Sequence, residues 1–280
     1  MGSGLFECVI NISEGDNDYL LRQLEHAAGE SFRHRHSDSF HNRSVFTLIN
    51  TDIELKRDVC WLIRNAIDVL DLEDHEGVHP RFGVVDVVPY VALDETDRDR
   101  ARELRDETAA WLGDLDIPVF LYGNVHGVER TLPEVRRRAF VDLAPDFGPS
   151  TSDDSAGASA VGERPVLLAW NMYVAGLTPD QVHDVARLLR GDGIRTLALQ
   201  VGRRWQVSCN LIDPLRIGPD VAYDRLTTLL PEGGRIEECE LVGLAPAAVL
   251  LGIDESRWSQ LGLSEDLTIE FVLEDELAFD

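Results

Sequence analysis

From Leu5 to Ser13 apolar and polar positions alternate: Phe6, Cys8, Ile10 and Ile12 share one face, and Glu7, Val9 and Asn11 share the other. A period of two marks a half-buried strand, and this register turns Asn11 away from the core. SEGDN then supplies a turn, with Glu14 and Asn11 open to capping or to ligand contact. The period becomes helical where Leu20, Leu21, Leu24 and Ala28 recur behind a cap at Asp16 or Asn17. Strand patterns follow over Phe32 to Asp38 and Val45 to Asn50. A helix over Ile53 to about Leu72 carries Leu55, Val59, Leu62, Ile63, Ala66 and Leu70 on one side. Beyond it Val84 to Val88 is β-branched except for Asp86, and Pro89 predicts the end or the edge of a sheet. A lone aspartate among valines is usually paired, because an unpartnered buried carboxylate is costly.

A further helix is predicted over about Asp97 to Leu112 with Thr96 as its cap, then a strand over Pro118 to Tyr122. TLPEVRRR reads as a helix start, with Thr131 capping, Glu134 at the reciprocal position and a basic trio, Arg136 to Arg138, following. Residues 144–165, crowded with Gly, Pro, Ser and Asp, have little periodicity and read as a loop or linker and as the candidate domain boundary. After it comes an apolar strand, Val166 to Val174, and a helix opened by Thr178, Pro179 and Gln181. Strands over Arg195 to Val201 and Trp205 to Ile212 flank a turn at Gly202, and Gln206, Ser208 and Asn210 share the polar face of the second. A helix over Pro219 to Leu230 and a strand over Arg235 to Val242 complete a β-α-β-β-α-β order, the split arrangement of ferredoxin-like folds. The first half shows a comparable alternation without a letter-for-letter repeat. The expected class is therefore α+β: two ferredoxin-like α/β subdomains, residues 1–163 and 164–280, with mixed or antiparallel sheets, helices on one face and a cleft between them. Ala245 to Leu251 reads as another helix, and the acidic tail after Ser264 as an edge strand or a solvated end.

Charge narrows the partners. A net charge of −25 over 280 residues argues against nucleic acid, whose backbone demands a basic stripe. No apolar run approaches the ~18 residues of a membrane span, and MGSGLFECVI lacks the basic start of a secretory signal, so a cytoplasmic protein is expected. Any anionic substrate must be met by local arginines against an adverse overall field. Cys8, Cys60, Cys209 and Cys239 show no CxxC spacing and read as small apolar residues. His34, His36 and His41 are the best candidate metal group, but without spaced partners no metal is expected.

Candidate chemistry gathers at DHEGVHPRFGVVDVVPY, Asp74 to Tyr90, where the helical pattern gives way to a strand. Gly77 permits positive φ, and Pro80 pushes His79 out of the helical region, so His79 stands at a turn. Histidine there is either a candidate acid or base or a turn residue bonded to backbone. Arg81 lies two residues from His79, and Arg43, after the strand Phe32 to Asp38, is a cation whose guanidinium can fork onto a carboxylate or else a solvated surface group or structural ion pair.

The strings ECVINISEGDN, HNRSV, DHEGVHPRFGVVDVVPY, PVFLYG, RTLPEVRR, PDFGPS, QVSCNL and ELVGLAP follow one another as in glutamate formiminotransferases, which the chain resembles from residue 5 to about residue 252. The resemblance implies transfer of a formimino group between N-formimino-L-glutamate and tetrahydrofolate, a co-substrate, without a metal. It implies His79 as general acid and base, Asn11, Arg43, Arg81 and Asn210 around the substrate, and Gly148, Pro149, Ser150 and Gly157 along the folate. A homodimer is the expected assembly. The chain departs from the family at two points. An aspartate six positions before the asparagine of the NR pair falls here on His36, leaving Asp38 as the nearest carboxylate on that strand face and the candidate to orient His79. Ala156 replaces the tryptophan of animal members. A relative acting on a different amine, and a folate-binding protein without catalysis, are the alternative readings.

Overall fold

The computed structural model describes residues 4–73, 75–77, 81–152 and 154–277. The chain divides into two units, residues 1–165 and 166–280. In the first, β1 (Leu5–Ile12), α1 (Asp18–Ala27), β2 (Phe32–Asp38), β3 (Arg43–Thr51), α2 (Asp52–Val69) and β4 (Val85–Ala92) form one βαββαβ set. They continue into α3 (Arg98–Asp114), β5 (Val119–Val125), β6 (Val128–Arg130), α4 (Leu132–Arg138) and β7 (Ser159–Glu163). The sheet order is β2-β3-β1-β4-β7-β5-β6. Each helical crossover of the βαββαβ set skips a strand, so β2-β3-β1-β4 is antiparallel throughout. That is the ferredoxin-like arrangement expected.

The β1 alternation holds. Phe6, Cys8, Ile10 and Ile12 are buried in a core with Leu21 and Leu24 of α1, Leu55, Val59 and Leu62 of α2 and Leu104 and Leu112 of α3. On the opposite face Val87, Phe120 and Tyr122 pack with Val135 of α4.

Two elements overturn the loop and edge expectations. Within the supposed linker, SAVGE forms β7, buried along its whole length between β4 and β5 and parallel to both. Its small residues hide the strand in composition, and packing demands them: a Cβ on Gly162 would lie 2.2 Å from the Tyr122 ring. Pro89 lies inside the sheet, opposite Gly162 of β7. The β1 ladder leaves Pro89 out, pairing Cys8 with Tyr90 and then Asn11 with Val87, so the missing N–H has no bond to make there. Two boundaries also shift. Helix α2 ends at Val69, and Thr96 is itself held, its N–H and hydroxyl both donating to Asp94 Oδ1 at 2.8 and 2.7 Å.

The second unit repeats the plan: β8 (Leu168–Ala175), α5 (Pro179–Leu189), β9 (Ile194–Val201), β10 (Arg204–Leu211), α6 (Pro219–Leu229) and β11 (Arg235–Val242), in the order β11-β8-β10-β9. The reciprocal cap at Thr178 and Gln181 is present as the letters predicted. Trp170 is fully buried and donates from Nε1 to the Leu261 carbonyl at 2.8 Å. Then come α7 (Ala247–Leu251), α8 (Trp258–Leu261) and α9 (Ile269–Leu277). The acidic tail is thus a helix rather than a strand. Backbone bonds of Ala245 to Leu267 and Ile269 anchor its start, and Ile269 is buried.

Gly162→Ala should destabilise the first unit by about 1–3 kcal/mol through overpacking against Tyr122. A lowered urea midpoint, followed by circular dichroism, is the expected result.

Candidate active site

Three segments meet beside the end of β1. The SEGDN turn is tied down by Ser13, whose N–H donates to the Val84 carbonyl and whose Oγ donates to the Gly83 carbonyl, both at 2.8 Å. Glu14 caps the turn by accepting from the N–H groups of Asp16 and Asn17 at 2.7 and 2.8 Å, so it serves the turn itself. The β2–β3 connection lies against it, so closely that a Cβ on Gly15 would fall 2.3 Å from the Asp38 carbonyl oxygen. Asn42, at φ 46, joins all three segments. Its Oδ1 accepts from Gly15 N–H at 2.9 Å, its Nδ2 donates to the Glu76 carbonyl at 2.8 Å, and its own carbonyl lies 2.8 Å from His75 Nε2.

Arginines converge in the crevice so formed, which Ser13, His41, Asn42, Arg43, Arg81 and Asp86 line. Arg43 donates from Nε to Asn11 Oδ1 at 2.9 Å and again from Nη2. Arg81 meets His75 Nε2 through Nη1, and its Nη2 lies 3.5 Å from the His41 carbonyl oxygen. Asp86, 1% exposed, is held by Phe82 N–H at 2.7 Å and by Arg136 Nη2 at 2.6 Å. The pairing expected of this aspartate is therefore met, by an arginine that the sequence reading treated only as one of a basic trio. Its signal was its place in RTLPEVRR.

Burial brings the Arg43 guanidinium down to about 10; Asp86 opposes this, and the neighbouring cations Arg136 and Arg81 add to it. Arg81 is lowered too, again mainly by burial and against the pull of Asp86. Three guanidinium groups around Asp86 leave the immediate surroundings positive even with Asp38 counted. In a chain of net charge −25, this is a local reversal of sign, and guanidinium groups are suited to contact an anion.

Of the predicted site residues, Asn11, Arg43 and Arg81 come together here. His79 lies outside the described residues; Glu76 and Gly77 before it and Arg81 after it all belong to the crevice wall. Asp38 lies against His41: its Oδ1 accepts from His41 N–H at 2.8 Å, and its Oδ2 is 3.7 Å from His41 Nδ1. Gly157 stands beside the site, bridged to Gly83, with backbone bonds from Val84 to Ala156 and from Ala158 to Phe82. Gly148, at φ 76, packs against the Ile117 carbonyl at the start of β5, followed by partly buried Pro149 and exposed Ser150. Both glycines use their missing Cβ against the chain's own backbone. Asn210 is exposed on β10 of the second unit, on the face that also carries Ser208 and the fully buried Gln206. Asn42, His75 and Arg136 are site residues that the sequence reading did not single out, and His41 entered it only as part of a candidate metal group. Among the described residues no group of three or more His, Cys, Asp or Glu is arranged to hold a metal, and no helix is long and apolar enough to cross a membrane.

A family model, the formiminotransferase domain, N-terminal subdomain, matches residues 5–164. Glutamate formimidoyltransferase of Streptococcus pyogenes serotype M1 is 30% identical over 278 residues, 90% of this chain and 92% of that protein. The protein of the same name from Thermoplasma acidophilum is 30% identical over 297 residues, 96% of this chain and 97% of its own length. Formimidoyltransferase-cyclodeaminase of Sus scrofa is 28% identical over 281 residues, 89% of this chain but 51% of that longer protein. These relatives are transferases of one-carbon groups, and so is this protein. The chain belongs to the formiminotransferase family.

On the same face of β1 as Asn11, the Glu7 carboxyl is held up at about 7, against an ordinary 4.5, by burial, with Arg164 pulling the other way. Folding therefore strengthens its hold on a proton. Its contribution to stability is whole below pH 4.5 and is lost as the pH rises through about 7. Glu7→Gln should be more stable than the parent above that pH, by up to about 3 kcal/mol, with the gap closing below pH 4.5 in thermal melts across the range.

Proposed function

We propose that the protein transfers a formimino group between N-formimino-L-glutamate and tetrahydrofolate. The observation that carries this reading is the cluster of Arg43, Arg81 and Arg136 around the single buried carboxylate of Asp86, beside the segment that contains His79. An amino acid with two carboxylates suits a site with more guanidinium than carboxylate charge. Arg43 and Arg81 hold those carboxylates, and Asn11 orients polar groups about the reacting carbon. Asn11 already accepts from Arg43, so it fixes the guanidinium plane that meets the substrate.

The reaction needs the folate amine to lose a proton as it attacks the amidine carbon, and the glutamate nitrogen to gain one as the adduct collapses. Glutamate and formimino-tetrahydrofolate result. His79, as an imidazole near its own pKa, carries that proton traffic, which is typically worth ~100- to 10,000-fold. Tetrahydrofolate is the co-substrate in this reading, which membership in the formiminotransferase family supports. Residues 148–157 are its proposed contact, with Gly148 and Gly157 shaping the loop and the exposed Ser150 hydroxyl facing outward. A second reading, transfer to or from a different amine, is favoured by one observation: His36 stands where the family resemblance places an aspartate. A homodimer and a cytoplasmic location complete the proposal, the first readable by light scattering.

The test is turnover with N-formimino-L-glutamate and tetrahydrofolate, beside a panel of other formimino acceptors. His79→Ala should abolish transfer in a folded protein. Arg81→Met should raise KM for the amino acid by about 10- to 100-fold, the worth of a hydrogen bond to a charged group, and leave KM for folate unchanged. Turnover with another amine but not with glutamate would replace the first reading by the second.

A further inference from the structure

The β2–β3 connection holds a carboxylate–imidazole pair that the motif strings do not reveal. The strands close on Asp38 opposite Arg43, and the residues between them fold back so that Asp38 Oδ1 accepts from His41 N–H at 2.8 Å while Oδ2 stands 3.7 Å from His41 Nδ1. Both side chains are largely withdrawn from solvent, at 11% exposure for His41 and 17% for Asp38. The His41 main chain is fixed from the other side as well. Arg81 Nη2 reaches its carbonyl oxygen at 3.5 Å, and a Cβ on Gly77 would lie 2.5 Å from that oxygen, so only glycine fits there. His41 thus lines the crevice in one backbone setting, together with Arg43 and Arg81.

We infer that His41, oriented by Asp38, is a second proton-carrying residue of this site and acts on the glutamate nitrogen. The inference rests on the formimino-transfer reading and sharpens it. In glutamate the α-nitrogen is two bonds from the α-carboxylate carbon. A carboxylate on Arg43 or Arg81 therefore brings that nitrogen to the wall that His41 occupies. The division of labour is then as follows. His79 takes the proton that the attacking folate amine loses as the new C–N bond forms. The His41 imidazolium gives its proton to the glutamate nitrogen as the old C–N bond breaks. Each turnover leaves His79 protonated and His41 neutral, and exchange with solvent restores both. Asp38 serves His41 here.

Charged and titratable groups that bear on His41 are Asp38 and Arg43 on its own connection, Arg81 and His75 from the segment before β4, and Asp86 on β4 with its partner Arg136. Asp38 favours the imidazolium and the arginines oppose it. Because His41 acts as an acid, kcat should fall on the alkaline side as His41 deprotonates. His41→Gln should lower kcat by about 100-fold or more, remove that alkaline limb and change KM for either substrate little. Asp38→Asn keeps an oxygen to accept from His41 N–H, lowers kcat less, and should move the alkaline limb to lower pH, since the imidazolium loses its carboxylate. A histidine titration by NMR on both proteins reads the same shift without turnover. It decides the matter should His41→Gln fail to fold.

Wild-type protein without formimino transfer overturns the functional reading and this inference together. Active wild type with undiminished kcat in His41→Gln, or with an unmoved His41 titration in Asp38→Asn, overturns the inference alone.

Discussion

A carboxylate taken out of water must be neutralised, and Asp86, set among valines in β4, is neutralised by Arg136 at 2.6 Å and by the Phe82 N–H at 2.7 Å. Removing one partner of such a buried pair generally costs about 3–5 kcal/mol, because the other is left as an uncompensated charge. The same carboxylate holds Arg43 and Arg81 in reach, against the burial that disfavours their charge. One anion thus gathers several cations into the interior, and the balance stays positive. The local field reverses the sign of a strongly acidic protein over the few ångströms that a substrate carboxylate needs.

The scaffold makes that gathering possible. In this βαββαβ unit β1 and β4 lie side by side and antiparallel, so the turn after β1 and the segment before β4 open at the same edge. Asn42 stitches the β2–β3 connection to both, and Gly15 and Gly77 let the backbones approach where no side chain would fit. The site is therefore made of connections, while the strands beneath them fix their spacing. Membership in the formiminotransferase family gives this arrangement its chemical setting.

Much of this was legible in the letters, for definite reasons. Period-two alternation in β1 and the reciprocal cap at Thr178 are local patterns, and each appeared where the spacing put it. The repeated β-α-β-β-α-β order survives because each element carries its own period. Legibility failed where a residue's meaning depends on distant neighbours. SAVGE lacks the bulky residues of a buried strand because Tyr122, far along the chain, occupies the space beside Gly162. Pro89 read as an edge signal, yet the fold sets it inside the sheet opposite Gly162, where the ladder with β1 has no pair at Pro89. Arg136 looked like one charge of a surface trio until the fold set it on Asp86.

The sequence by itself determined the class of fold, the family, and the clustering of Asn11, Arg43 and Arg81 near the His79 stretch, since these follow from short-range periodicity and ordered motifs. Only the tertiary structure decided which carboxylate meets which partner: Asp86 with Arg136, and Asp38 with His41. The reason is physical. Periodicity reports which face of an element is apolar, whereas pairing between charges depends on separations of a few ångströms between elements that the chain brings together only on folding.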